Sequence, residues 1–395
     1  MPRKITRRAA LATAATAAAA SAAAQQQQAE TTPKYESALD GFESKVDLSA
    51  FDPVEWTRTR WRSAPLRLTF PEGAGKRQTL DWQAKLRPKV QELIGGFPAA
   101  KPPLAPVLLE KREFKGYTRE KFVFTSQPGV QVLAYLLTPA AAKGPVPVVV
   151  CVPGHGRGVD DIVGIDSQGR DRTRKDGYQH DFAIQVVERG GMAALAIEPM
   201  AFGCRRDPAT KKKGLGTAAC QPAAGAALLF GETMIAWRVW DVMRAIDWVE
   251  SRPAQLDASR VACMGISGGG TCTVFAAALE PRIKAAMVSG YLNTFRDSIL
   301  SIAHCMDNYV PGILNWCEMY DVAGLIAPRP LFIESGDRDS IFPIGASRES
   351  YGKVRRVYES LGAVDSVGQE VFEGEHSFHG KQGIPFLERA LSAKG

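Results

Sequence analysis

Residues 263–270 read Cys-Met-Gly-Ile-Ser-Gly-Gly-Gly, and this stretch decides the fold. It follows a short apolar run typical of a strand and opens a helical pattern. A serine in such a sharp turn needs small neighbours on both sides, because the turn is strained and the helix passes close to the strand. Gly265 and Gly269 supply those neighbours, so the sequence predicts that Ser267 is exposed at a sheet edge. The helix N-terminus beside it adds partial positive charge, which favours a developing oxyanion.

Strand-like and helical patterns alternate on both sides of this turn. The predicted strands lie at 121–125, 130–138, 146–152, 192–197, 261–264, 283–288, 330–334 and 369–372, and the predicted helices at 81–93, 182–189, 232–250, 269–279, 347–361 and 385–391. This alternation predicts an α/β fold, with a mostly parallel twisted sheet and helices on both faces. Right-handed crossovers then bring the loops that follow the strands to one edge of the sheet, where chemistry is expected.

Two connections between these patterns, 199–231 and 289–327, are too long for simple turns. Long connections inside a compact domain are typical of lids and binding walls, so both are expected to be lid-like insertions. Residues 304–312, close to Trp316, are expected either to cover the acyl pocket or to pack as ordinary structure.

An acid and a histidine follow the last two predicted strands, in the order that a serine at such a turn requires. Asp339 lies 72 residues after Ser267, and His376 lies 37 residues after Asp339. A serine hydroxyl is a poor nucleophile unless a base takes its proton, so we predict a triad of Ser267, His376 and Asp339. The chain has only five histidines, which makes one in this position informative. Asp337 and His379 remain open as alternatives for the acid and the base.

Hydrolysis also needs N–H donors for the tetrahedral oxyanion. One predicted donor is the backbone N–H of Gly268, directly after the serine. The other is expected in the loop after the strand at 146–152, which reads Pro-Gly-His-Gly-Arg-Gly over residues 153–158. Three glycines let this backbone turn tightly with its N–H groups pointing into the site. His155 or Gly156 is therefore the predicted second donor.

The first residues have the order of an export signal. Thr-Arg-Arg-Ala-Ala-Leu at 6–11 places paired arginines before an alanine-rich stretch, and Ala22, Ala23 and Ala24 offer a cleavage site. Residues 1–24 resemble a twin-arginine signal peptide, which implies the twin-arginine export machinery as a partner and a periplasmic or extracellular protein. The alternatives are an alanine-rich helical anchor or a chance low-complexity tail. No cysteine stands at the cleavage point, so no lipid anchor is expected.

Composition excludes several classes of protein. Hydrophobic residues make up 45% and charged residues 23% of the 395-residue chain, which is ordinary for a globular protein. The net charge of +7 falls to about +3 without Arg3, Lys4, Arg7 and Arg8 of the tail, so nucleic-acid binding has little support. Beyond that tail no apolar run of 18 residues occurs, which argues against a polytopic protein or a stable membrane anchor.

Seven cysteines leave at least one unpaired if every bond is within the chain. Cys204 with Cys220, and Cys305 with Cys317, lie in loop-like stretches and could pair in an oxidising compartment, with connectivity left open. No cysteine spacing matches a zinc site, and no metal is predicted.

With these residues the chain resembles the α/β-hydrolase superfamily over about residues 105–393. It is most similar to the dienelactone-hydrolase-like and acetyl-xylan-esterase-like bacterial branch. The likeness is carried by Gly154-His155-Gly156, the helical segment 238–242, the Ser267 turn, and the segments around Asp339 and His376. The resemblance implies a carboxylic ester hydrolase that forms an acyl-enzyme without a cofactor and acts on a small-molecule or carbohydrate ester. Dienelactone hydrolases proper use a cysteine nucleophile, so a lactone substrate is not expected here.

The chain is therefore divided into four predicted segments. A signal peptide at 1–24 and a polar, flexible lead-in at 25–50 precede an N-terminal extension at 51–104. Residues 105–395 form the predicted α/β-hydrolase catalytic domain.

Two other functions are compatible with this fold. A serine peptidase of the prolyl-oligopeptidase type shares the turn and the residue order, but the residues before the hydrolase core are too few for a propeller and show no blade-like repeat. A non-catalytic binding protein usually lacks a triad member, and none is missing here.

Overall fold

The structure is a computed structural model that describes residues 37–392 except 173, 217 and 218. The predicted signal peptide lies outside these residues, as does the first part of the predicted lead-in. The chain falls into two compact units, which divide after Trp56. In its described part, the first unit has short 3-10 turns at Glu43–Lys45 and Leu48–Phe51. No helix within the described ranges is long and apolar enough to cross a membrane.

The second unit is built on one sheet. Its strands are β1 (Val107–Phe114), β2 (Tyr117–Gln127), β3 (Val130–Pro139), β4 (Val146–Val152), β5 (Ala193–Ile197), β6 (Leu256–Ile266), β7 (Ile283–Ser289), β8 (Leu331–Gly336) and β9 (Val367–Phe372). The strand order is β1-β2-β3-β5-β4-β6-β7-β8-β9. The three pairs from β1 to β5 are antiparallel, and all pairs from β5 to β9 are parallel.

Helices cover this sheet on both faces. The helices in the described residues, whether or not they lie on the sheet, are α1 (Pro53–Arg62), α2 (Lys76–Leu93), α3 (Phe182–Gly190), α4 (Pro208–Lys211), α5 (Cys220–Leu229), α6 (Met234–Glu250), α7 (Gly268–Leu279), α8 (Met319–Gly324), α9 (Ile344–Ser360) and α10 (Gly383–Ser392). The predicted fold class, a mostly parallel α/β sheet with helices on both faces, is confirmed.

The core has two layers, one on each face of the sheet, so the central strand β4 is buried on both faces. Val148 and Val150 pack in the layer that contains α2 and α6 to α9, together with the Trp82 ring. Val149 and Cys151 point to the other face and pack with α3 and α10. Alternate side chains of a strand point to opposite faces, so an entirely apolar strand is what two covered faces require.

The carboxyl ends of the parallel strands carry the segments that matter for chemistry. The loop that begins at Pro153 follows β4, Ser267 follows β6, and Gly290 follows β7. The segment with Asp339 follows β8, and the segment with His376 follows β9. The long connection after β5 contains α4 and α5, and the long connection after β7 contains α8.

Candidate active site

Ser267 occupies the turn between β6 and α7 in a strained conformation. Its φ is +57° and its ψ is −124°, a region that L residues avoid and that costs about 1–3 kcal/mol. The Ser267 N–H donates to the carbonyl of Ser289 at 3.1 Å, and the Thr271 N–H donates to the Ser267 carbonyl at 2.9 Å. These bonds tie the turn to the end of β7 and to the first turn of α7, so the strain is held by the surrounding backbone.

The small residues around Ser267 are required by close approach, as the sequence predicted. A Cβ on Gly265 would lie 2.5 Å from the backbone of Gly269. A Cβ on Gly269 would lie 2.0 Å from the carbonyl oxygen of Val152. Atoms cannot come this close, so a side chain at either position would force β6, α7 and β4 apart.

Asp339 and His376 form a hydrogen-bonded pair. The Asp339 Oδ2 and His376 Nδ1 atoms are 2.7 Å apart, and the Asp339 side chain is almost completely buried. The other oxygen, Oδ1, accepts the N–H groups of Ile341 and Phe342 at 2.9 and 3.0 Å. A carboxylate held in this way accepts from Nδ1–H, which leaves Nε2 as the free nitrogen of the ring. In the described part of the chain that Nε2 is buried and has no hydrogen-bond partner.

Two aromatic rings stack on the His376 ring. The ring of Tyr178 stacks on it at a centroid distance of 5.4 Å, and the ring of Phe342 stacks at 5.7 Å. Its Cε1 would be 3.0 Å from a Cβ on Gly290, so it lies directly against the end of β7. The Ser267 backbone N–H donates to Ser289, the residue before Gly290, so Ser267 and His376 both contact the same strand end.

The alternative acid and base have other partners. Asp337 is exposed, and its Oδ1 accepts the N–H of Gly374 at 2.9 Å. His379 Nδ1 is 2.9 Å from Glu370 Oε1, and its ring stacks on Phe372. The structure therefore brings Asp339 to His376 and keeps Asp337 and His379 in separate contacts.

Two side chains anchor the loop after β4. The Gly154 N–H donates to Gln179 Oε1 at 2.8 Å, and the Arg157 N–H donates to Asp161 Oδ2 at 2.8 Å. The Arg157 guanidinium also pairs with Asp161, so the far end of the loop is fixed twice.

The three predicted oxyanion donors lie between and beside these anchors. The backbone N–H groups of His155, Gly156 and Gly268 donate to no acceptor among the described residues. The Tyr178 hydroxyl donates to the His155 carbonyl at 2.6 Å, so the ring that stacks on His376 also holds this loop. Such N–H groups, placed beside the strained serine, can donate hydrogen bonds to an oxyanion.

The structure adds a buried charge cluster that the sequence did not indicate. His155 Nε2 lies 3.2 Å from Asp307 Oδ2, and Arg238 of α6 hydrogen-bonds the same carboxylate. Arg238 also donates to the Met200 carbonyl at 2.8 and 3.1 Å. Burial raises the pKa of Asp307, but Arg238 and His155 outweigh that effect and hold the pKa well below its usual range.

The segment around Asp307 also reaches the serine helix. Thr271 Oγ1 donates to Asn308 Oδ1 at 2.6 Å, which turns the Asn308 amide nitrogen toward His304 Nδ1 at 3.0 Å. His304 therefore accepts at Nδ1 and carries its proton on Nε2. Burial lowers the pKa of His304, which keeps this ring neutral. Its Nε2 is buried without a partner among the residues that the structure describes, and its ring packs edge-on against Phe342.

Two groups of side chains have the donor types that bind metals. His155, Cys220 and Asp307 form the first, but the Arg238 guanidinium already donates to both Asp307 and Cys220 and so occupies these would-be ligand atoms. In the second group, made of Glu334, Glu370 and His379, the carboxylates already accept backbone N–H bonds from residues 379, 380 and 382. Neither donor set fits a metal ion.

All seven cysteines are free thiols, so neither of the two conceivable disulfides is formed. Cys220 lies instead 3.2 Å from His155 Nε2 and 3.3 Å from an Arg238 nitrogen. Burial raises the pKa of the Cys204 thiol to about 11, so this side chain stays protonated at neutral pH.

Comparisons with known proteins agree with this architecture. Residues 63–367 match the model of the Abhydrolase family. A protein of Bacillus subtilis (strain 168), named as hydrolase YtaP, is 25% identical over 295 residues, which are 72% of this chain and 90% of that protein. A structure assigned as an acetyl xylan esterase of Bacteroides fragilis NCTC 9343 aligns with a TM-score of 0.74 at 19% identity, over 87% of this chain and 95% of that one. A glucuronoyl esterase from Solibacter usitatus aligns with a TM-score of 0.61 at 18% identity, over 83% and 97%.

Proposed function

Because the chain belongs to the Abhydrolase family, we propose that it is a serine hydrolase that cleaves carboxylic esters through an acyl-enzyme. The observation that carries the proposal is the His376 ring, which Asp339 holds by Nδ1 while its Nε2 is buried with no partner among the described residues. The His376 ring lies against Gly290, which follows Ser289, and the Ser289 carbonyl accepts the N–H of the strained Ser267. A base of this kind is what a serine hydroxyl needs before it can attack a carbonyl.

In the first step His376 Nε2 takes the proton of Ser267 Oγ, and Oγ attacks the ester carbonyl. Asp339 keeps Nδ1–H in place and stabilises the imidazolium that forms. The collapse of the tetrahedral adduct breaks the bond to the leaving alcohol, which receives the proton from His376 Nε2. Ser267 then carries the acyl group as an ester.

The negative charge of the adduct falls on the former carbonyl oxygen. The N–H of Gly268 and an N–H of His155 or Gly156 are the proposed donors, because these groups donate to no described acceptor. Donors that are already fixed in position cost no reorganisation when the charge develops, which is why they accelerate the reaction.

In the second half a water molecule takes the place of the serine hydroxyl. His376 Nε2 accepts the water proton, the water oxygen attacks the acyl carbonyl, and Ser267 leaves with the proton returned by His376. The products are a carboxylic acid, an alcohol and the free enzyme. No cofactor enters either half of this sequence.

For the substrate we propose an ester of a carbohydrate, with an acetyl ester first and a glucuronoyl ester second. Support comes from the names of the two aligned structures, an acetyl xylan esterase and a glucuronoyl esterase. Export is part of the same proposal, since such polymers lie outside the cell, and it rests on the residue order of 1–24.

Labelling with a fluorophosphonate probe tests the nucleophile. We expect one labelled peptide that contains Ser267, and no label in Ser267→Ala. Folded protein that takes up no label, or takes it up equally in Ser267→Ala, would contradict the proposal.

A panel of substrates then tests the class of ester. p-Nitrophenyl acetate, acetylated xylan and a methyl ester of glucuronic acid are compared with an aminoacyl anilide, each with Ser267→Ala as the blank. We expect hydrolysis of the simple acetate and of at least one carbohydrate ester, with the anilide left intact. Turnover of the anilide alone would favour the peptidase alternative.

A further inference from the structure

A second histidine–aspartate pair contacts the serine turn. His155 Nε2 faces Asp307 Oδ2 and Cys220 Sγ, each at 3.2 Å. The Nδ1–Cε1 edge of the ring faces Gly268, because a Cβ on Gly268 would lie 2.9 Å from His155 Cε1 and 3.0 Å from His155 Nδ1. The Nδ1 atom is thus beside the residue whose N–H is a proposed oxyanion donor.

The orientation of this ring is fixed by packing. The Phe202 ring lies against the His155 ring at a centroid distance of 4.7 Å. The Arg238 guanidinium lies over the Phe202 ring at 4.3 Å and is itself bonded to Asp307. Since Asp307 is buried and takes both cations, rotation of the His155 ring would break its ion pair and its aromatic contact together.

The groups around His155 determine the protonation state of its ring. Burial lowers the pKa of His155, but the Asp307 carboxylate outweighs burial and raises the pKa well above its ordinary value. The titratable and charged groups that face this ring are Asp307, Arg238, Cys220, Cys305 and His304. Asp307 is the only carboxylate among them, Arg238 carries a positive charge that is paired with Asp307, and the neutral His304 adds none.

We propose that the His155 side chain is a further catalytic group, a permanently charged imidazolium whose Nδ1–H stabilises the oxyanion of the Ser267 adduct. The Nε2–H of His155 continues to donate to Asp307, no proton is transferred, and the ring keeps its charge throughout the cycle. This inference rests on the proposed esterase function. A full positive charge in a site that excludes water stabilises an oxyanion more strongly than a backbone dipole does.

The variant that tests the proposal is His155→Gln, which keeps the backbone N–H and removes the charge. We expect kcat for p-nitrophenyl acetate to fall about 100-fold, the loss typical of one oxyanion donor, while KM changes little. A boronic acid, which forms a tetrahedral anion on an active serine, should bind more weakly by a similar factor. His379→Gln is the matched control, because that histidine also pairs with a buried carboxylate but contacts Glu370.

The wild-type protein offers a test that does not depend on a variant. With five histidines in the chain, nitrogen-detected NMR can separate the protonation states of the rings. We expect one ring to remain doubly protonated at pH 8, and we expect its signal to disappear in His155→Gln. If no ring is doubly protonated at pH 8, the proposal is wrong.

These outcomes separate the inference from the function on which it rests. Hydrolysis that Ser267→Ala leaves unchanged would remove the esterase function. A second outcome is that Ser267→Ala abolishes hydrolysis while His155→Gln keeps the wild-type kcat and boronate affinity. That result would overturn only the role of His155. A variant with normal kcat and a raised KM would assign His155 to substrate binding and would also contradict the proposal.

Discussion

Two histidine–aspartate pairs flank Ser267, and they differ in what else each carboxylate binds. Asp339 bonds His376 at 2.7 Å and otherwise accepts two backbone N–H groups. Asp307 bonds His155 at 3.2 Å and also binds the buried Arg238 guanidinium. His376 uses Nδ1, and its Nε2 has no partner in the part of the chain that the structure describes, whereas His155 uses Nε2 and turns Nδ1 toward the serine turn.

The difference indicates that a histidine and an aspartate can have different roles in the same reaction, depending on their other contacts. A ring bonded by Nδ1, with an unpartnered Nε2, is arranged to accept a proton. Arg238 and His155 together keep the Asp307 carboxylate ionised, and this negative charge raises the pKa of His155. In the proposed mechanism the first pair therefore moves a proton and the second pair holds a charge.

Of the changes to the two pairs, replacement of the base His376 should cause the largest loss of activity. In His376→Gln we expect kcat for p-nitrophenyl acetate to fall by about 10⁵- to 10⁶-fold, because the serine loses its proton acceptor. The control is His379→Gln, for which we expect a kcat within about twofold of wild type. Steady-state kinetics on both variants, with circular dichroism to verify folding, makes the measurement. Equal losses in the two variants would contradict the assignment of the base.

Replacement of the acid Asp339 should lower kcat less than replacement of His376, but far more than replacement of the nearby Asp337. In Asp339→Asn we expect kcat to fall about 10⁴-fold, because an amide cannot hold Nδ1–H and the ring adopts the wrong tautomer. Asp337→Asn is the matched control, since this exposed side chain contacts the Gly374 backbone and not His376. A loss in Asp337→Asn as large as that in Asp339→Asn would argue against the pair.

The sequence predicts one of these pairs and misses the other for a physical reason. Asp339 and His376 each follow a strand of the parallel sheet, so their meeting follows from topology. Asp307 lies in the middle of the long connection between β7 and β8, where no strand end fixes its position. Arg238 could be recognised only as a charged residue on the buried face of a helix, which signals a partner without naming it.

For the fold as well, the sequence predicts the buried elements better than the exposed or polar ones. The strand predicted at 146–152 has the observed bounds, because burial on both faces makes it continuously apolar. Strand β1 was not predicted, since it lies at the sheet edge with seven of its eight residues exposed and has no apolar pattern. Strand β6 begins at Leu256, five residues earlier than predicted, because its first part carries the polar side chains of Asp257, Ser259 and Arg260.

Removal of the second acid should affect both activity and stability. In Asp307→Asn we expect kcat to fall about 10- to 100-fold, because His155 no longer retains its charge. We also expect a loss of about 3–5 kcal/mol in the free energy of unfolding, since Arg238 would be left buried without a counter-charge. Urea denaturation of Asp307→Asn and of the double variant Asp307→Asn/Arg238→Met measures this. The double variant should recover part of the stability and none of the activity, and recovery of both would contradict the role of His155.

The smallest effect is the pH dependence of stability that the second pair contributes. The folded pKa of His155 is raised, so the folded state binds the proton more tightly than the unfolded state. The contribution is complete below the unfolded value of about 6.5, falls as the pH rises above it, and is gone once the folded ring loses its proton. One group changes stability by at most about 1.4 kcal/mol per pH unit. We therefore expect the stability advantage of wild type over His155→Gln, measured by urea unfolding between pH 6 and 9, to shrink steadily on the alkaline side. A constant difference across this range would mean that His155 is not held as a cation, and the contrast between the two pairs would fail.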